Sequence, residues 1–273
     1  MNPTATRTPA PAQPPAPASL HAVTPVRLLR SEWHKLRSLR STWVTLLTAV
    51  SLVLGVGLLM GTTYTSGGGD SDIDTVVLVL YGTLLSQICL AVLGILVTAG
   101  EYGTGLIRTT LTAVPHRLPV LWAKAAVLSA TAFTVSLVTA LLTFLTAQHF
   151  LSDTDQAASL TDDGVLRAIA GNSTGLTLLA LIALGLGALL RSVPGALGAF
   201  VGGVVILPEI LSALPYETVH TALRYSPTQA AAALGSATPL PNAVPPAQAL
   251  LALLLWTAAT LAVSAALLKH RDA

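Results

Sequence analysis

The 273 residues are 53% apolar and only 10% charged, with a net charge of +2 and a single cysteine. An average soluble domain carries roughly 25% charged residues, so a surface this poor in charge would not stay dissolved and the apolar excess must face lipid. The small net charge points away from nucleic acid; the lone thiol, Cys89, excludes an internal disulfide and reads as a small core side chain, and no Cys/His cluster suggests a metal site.

Residues 1–23 are rich in Pro, Ala and Thr, lack apolar periodicity and read as a disordered cytoplasmic tail. No apolar stretch follows closely enough for a signal peptide, so the first apolar run reads as an uncleaved spanning helix. Residues 24–42 predict an amphipathic helix. Thr24 can cap it and Pro25 suits its first turn. Val26, Leu29, Trp33, Leu36 and Leu39 recur at three- and four-residue spacing on one face, while Arg27, Arg30, His34, Lys35 and Arg37 lie mostly elsewhere. Such a helix lies in the membrane interface with its basic side toward anionic lipid or a partner. The plainer alternative is a basic flank that only orients the first span.

A spanning helix needs about 20 mostly apolar residues, and in lipid such a run must be helical to satisfy its own backbone. Within residues 43–273 six runs qualify: 43–63, 76–99, 121–148, 169–190, 194–214 and 247–268. The fold class is therefore an all-α integral membrane protein with six transmembrane helices. Only Arg191, Ser192 and Val193 separate the fourth and fifth runs, which demands a tight turn or a helical hairpin that fails to span. Positive charge concentrates before the first run, around Arg108, Arg117 and Lys124, at Arg191, and at Lys269 and Arg271; the opposite loops hold only Arg167 and Arg224. That asymmetry predicts cytoplasmic termini at both ends.

After the second run, residues 104–114 predict a short amphipathic helix at the cytoplasmic mouth, with Thr104 as cap and Pro115 as stop. Either a partner docks there or it is a solvated connector. Within the spans, Glu209 is the only carboxylate; Pro208 before it favours an irregular outer half with the carboxylate in water over a proton or path-lining site. Ser86 and Gln87 either line a path or hydrogen-bond between helices. The sequence holds no Gly-x-x-x-x-Gly-Lys-Ser/Thr phosphate loop, no His-Glu-x-x-His and no Gly-x-Ser-x-Gly. No catalytic site, metal site or bound cofactor is expected in this chain.

The stretch from Ser31 through Glu32, Trp33, His34, Lys35, Leu36 and Arg37 to Trp43 resembles the leading segment of actinobacterial ABC-2 type transporter permeases. The stretch from Glu101, Tyr102, Gly103, Thr104 and Gly105 through Arg108 and Thr109 to Leu111 resembles their cytoplasmic loop after the second span, with Gly105-Leu106 standing where Gly-Thr is usual. Val114 through Lys124 is similar to the run leading into their third span, and the stretch before the sixth span fits their short outer helices. The resemblance covers the chain from about Pro25 onward. It implies a multi-pass permease of the bacterial cell membrane that pairs with a separate ABC-type ATPase, which would hold the ATP, and with a second permease chain; the usual direction is export. It also implies that the helix bearing Trp33, Lys35, Leu36 and Arg37 is the connecting helix. Residues Glu101, Tyr102, Thr104, Gly105, Arg108 and Thr109 would belong to the coupling helix seated on the ATPase. Two other classes fit the residues alone: a secondary transporter or channel working without an ATPase, and a membrane anchor or sensor. The scarcity of polar groups in the spans favours an amphiphile, lipid or hydrophobic drug as substrate over a sugar or ion.

Overall fold

The structure, a computed structural model, describes residues 24–65, 73–104 and 117–270. Among these it is an all-α membrane protein: no strand occurs, and six helices are long and apolar enough to cross a bilayer. The predicted tail and most of the predicted coupling segment, including Gly105, Arg108 and Thr109, lie outside the described residues.

Helix α1 (Pro25–Ser38) starts with Pro in its first turn and ends where Leu39 turns extended. The structure shows which face it turns into the bundle. The inward residues are Leu28, Glu32 and Leu36, four apart, while Val26, Leu29, Trp33 and Leu39 of the expected stripe are exposed on the outside of the bundle. Both stripes have helical spacing; the inner one is hidden from a hydropathy reading because its middle member is a carboxylate that finds partners in the bundle. At the bend into α2 (Arg40–Thr63), the Trp43 indole donates to the Arg37 carbonyl at 2.9 Å, satisfying one of the carbonyls that a helix end leaves open.

Helix α2 buries one narrow face, Leu46, Ala49, Val53, Gly57 and Gly61, against its neighbours. The apolar run predicted over 76–99 is not one helix. Asp74 caps a short α3 (Thr75–Val79) by accepting from the Val76 and Val77 amides, and the chain turns through Leu80–Gly82 before α4 (Thr83–Thr104) begins. The turn sits where Gly82 closes on α2: a Cβ there would lie 2.6 Å from the Leu52 carbonyl. Helix α5 (Arg117–Leu151) has 35 residues, about 52 Å at 1.5 Å per residue, and so outreaches the hydrocarbon layer of roughly 30 Å.

Helix α6 (Val165–Leu190) is the axis of the bundle, with 78% of its apolar window buried. Its Leu179, Ala180, Ile182, Ala183 and Leu184 form the centre of the main core together with Leu90, Leu93 and Ile95 of α4. The two helices approach closely because Gly94 faces the Ala180 carbonyl and Gly187 faces Thr98 and Ile95. At the contact Thr98 Oγ1 donates to the Leu184 carbonyl at 3.0 Å.

The tight turn after α6 is made by Arg191 in the left-handed region (φ 53°) and by Ser192, whose hydroxyl accepts from the Gly195 amide. The fifth span then runs as α7 (Val193–Ala199), a seven-residue π-helical segment (Phe200–Ile206) and α8 (Leu207–Ser212), a continuous apolar stretch of 20 residues. Pro208 gives the segment a physical cause. It has no amide proton to donate to the Val204 carbonyl, and its ring would crowd that carbonyl in an α-helix. The Thr228 hydroxyl reaches the same carbonyl instead, at 3.5 Å. Two short helices, α9 (Glu217–Leu223) and α10 (Pro227–Leu234), follow, and α10 packs Ala230, Ala233 and Leu234 into the core before α11 (Pro246–His270) closes the bundle. Ser264 of α11 donates to the Gly185 carbonyl of α6 at 2.7 Å.

Candidate functional site

Two polar constellations stand out in this apolar bundle, one at each end. At the end that carries α1, four charged side chains from three helices interlock. Lys124 of α5 pairs with Glu101 of α4 at 2.6 Å and with Glu32 of α1 at 2.8 Å. Lys35 of α1 pairs with the same two carboxylates, Glu32 at 2.9 Å and Glu101 at 3.1 Å. The cluster is neutral, and Glu32, Glu101 and Lys124 are buried. Burying a charge costs several kcal/mol, so such groups persist only when each is paired, and loss of one partner costs about 3–5 kcal/mol. Burial lowers the Lys35 pKa, but the hydrogen bond and charge of Glu32, joined by Glu101, outweigh it and leave the ammonium titrating above the ordinary lysine value.

Of the residues singled out for coupling, Glu101 is thus buried in this cluster, paired with Lys35 of α1 and Lys124 of α5. Tyr102 lies beneath Arg191, whose guanidinium sits 5.0 Å from the ring centre, so the turn between α6 and α7 is held against the end of α4. Thr104 closes α4. Of the α1 residues, Leu36 is buried, Lys35 is half-exposed in the ion cluster, and Trp33 carries Arg37 over its ring at 5.8 Å on the outer side. Sequence reasoning missed Glu32 and the pairing of Lys124, which read as one more basic flank. The available signal was a carboxylate placed four residues from each of two leucines, on a helix face with no solvent.

At the far end, α4, α6, the fifth span and α10 enclose a cavity of about 320 Å³. Gln87 and Glu209, both marked in the sequence as possible path residues, line it together with Asn172 and Gln229. Gln229 donates to Glu209 at 3.4 Å, and Glu209 is exposed, consistent with the irregular half-helix that Pro208 predicts. Ser86 is buried and lines a narrow cleft between α2, α4, α5 and α6 that shares Thr83, Asn172 and Leu176 with the cavity, but Ser86 itself does not line the cavity.

The loops at this end are tied by one acid. Asp74 Oδ2 accepts from the Thr238 amide at 2.6 Å and hydroxyl at 2.8 Å while Oδ1 caps α3. Gln156 adds a second tie, accepting from the Thr75 hydroxyl and donating to the Ile73 carbonyl.

A family model described as "ABC-2 family transporter protein" matches residues 28–205, well over half of the chain. No curated protein matches the sequence.

Proposed function

We propose a transport role for this chain, and its premise is plain: the chain belongs to the ABC-2 transporter family. It is a multi-pass membrane permease. On our reading it is driven by a separate ATP-binding subunit that docks on the segment between α4 and α5, works as an exporter beside a second permease chain, and sits in a bacterial cell membrane with both termini cytoplasmic. The observation that carries the reading is the family match across α1 to the fifth span. The ion cluster supports it: Glu101 and Lys124 flank residues 105–116 and are paired to each other and to α1.

In mechanism, closure of the ATPase pair presses on the docking segment. The push enters α4 and α5 together because their ends are joined through Glu101 and Lys124, and it reaches α1 through Glu32 and Lys35. Coupling then requires that the inward- and outward-facing arrangements make different contacts with the ATPase. The outward face of α1, with Val26, Leu29 and Trp33, seats it in the lipid interface, and its arginines face anionic headgroups.

The test is affinity purification of the tagged full chain from its own host. A co-purifying phosphate-loop ATPase whose hydrolysis depends on this chain supports the reading, and Arg108→Glu should release it. Normal co-purification and transport in that variant would overturn the docking assignment. Solute flux through liposomes holding this chain alone would favour a secondary transporter, and partner binding without flux a membrane anchor.

A further inference from the structure

The far-end cavity has a chemistry of its own. Half of its lining is polar: Thr83 and Gln87 of α4, Asn172 of α6, Glu209 of α8, and Thr228 and Gln229 of α10. No lysine or arginine lines it, and among the described residues no cation lies within 4.0 Å of Glu209. An anionic headgroup would therefore meet a carboxylate with no countercharge, whereas a cation would be welcomed. Asn172 stands in the wall between this cavity and the Ser86 cleft, and its buried Nδ2 has no hydrogen-bond partner, which leaves a donor in need of an acceptor. The rest of the wall is apolar, including Leu176 and Leu179, and Leu84 at its edge is half-exposed on the outer flank of the bundle. Exposed Leu84 gives an alkyl chain an apolar way out along the flank of the bundle. A volume of about 320 Å³ fits a polar head with the first few methylenes and not a whole lipid.

We propose that this cavity binds the head of an amphiphile bearing a protonated amine beside an acceptor oxygen, with its alkyl chain leaving past Leu84. The ammonium pairs with Glu209, and the adjacent hydroxyl or carbonyl oxygen accepts from Asn172. Gln87 and Gln229 take up the remaining polar valences. Val205 and Glu209, four residues apart, share the wall where the π-helical segment ends, and such segments recur at binding sites. As a statement about substrate, the inference rests on the permease reading; as a statement about a binding site, it does not.

The experiment uses the full chain in bilayers of zwitterionic lipid, with a long-chain 2-amino alcohol carrying a diazirine on its alkyl chain and the matching uncharged diol. Photolabelling by the amino alcohol should fall on the peptides containing Leu84 and Leu176, above the level given by the diol. Glu209→Gln should lower it roughly tenfold, the worth of one charge-assisted contact. Asn172→Leu, which keeps the charge, should lower it too. Equal labelling by both probes, or labelling that survives Glu209→Gln, would overturn the site. Glu209 is exposed, so that variant should keep the parent's thermal stability, and the measurement confirms that the fold is intact. Labelling by a chain that engages no ATPase would sink the ATPase-driven reading and leave the site standing. An ATPase partner without labelling would do the reverse.

Discussion

Glu101 and Lys124 stand 2.6 Å apart although 23 residues separate them, and the helices that bear them bracket the segment on which the coupling proposal depends. Both are buried, so neither charge has water to fall back on. Lys124→Met should destabilise the protein by about 3–5 kcal/mol, because two carboxylates then share only Lys35. Adding Glu32→Gln and Glu101→Gln to it should recover most of that loss. Unfolding in a denaturing-detergent titration of the purified chain reads both effects; additive losses would contradict the paired arrangement.

Lys35 gives a pH dependence with a definite sign. Its folded pKa is raised, so its contribution is fully present below the unfolded lysine value of 10.5 and is lost as pH rises through the folded one. Thermal stability measured from neutral into alkaline buffer should show a downward step in that upper range. Lys35→Met should remove the step. The side chain is 37% exposed, which keeps the effect modest.

Asp74→Ala removes a helix cap and two bonds to Thr238 in one change. A loss of about 2 kcal/mol or more is expected, with earlier proteolytic cutting in the stretch around Thr238. Wild-type protease resistance in the variant would show that the tie carries no load.

Gly94 and Gly198 should behave oppositely. A Cβ at Gly94 runs into the Ala180 carbonyl on the buried α4–α6 contact, so Gly94→Ala should cost about 1–3 kcal/mol. At Gly198 nothing lies within 4 Å, so alanine there should be neutral or stabilise the helix by up to about 1 kcal/mol. Thermal unfolding of the two single variants makes the comparison.

The all-α membrane class was legible because it rests on run length and on the absence of charge, and lipid leaves few alternatives. The broken second run was not legible: Gly82 reads as one more small residue until α2 is known to press against it. The inner face of α1 was not legible because hydropathy counts Glu32 against burial, and of its two partners only Lys35 is near in the chain while the buried Lys124 lies 92 residues away. Gln87 and Glu209 could be marked as unusual in an apolar run, but Asn172 and Gln229 had no such mark. What gathers them is the folding back of α10 into the bundle, which no local pattern encodes.

The seven π-wound residues before Leu207 set an angular offset in the fifth span. Everything C-terminal to them is rotated about the helix axis relative to the phase a uniform α-helix would give. Ordinary α winding of the same seven residues would turn Glu209 off its wall, and one residue fewer in Phe200–Ile206 would be needed to bring it back. Side-chain composition would be untouched by the rewinding alone, yet the carboxylate would point elsewhere, so in this helix the count of residues matters as much as their kind.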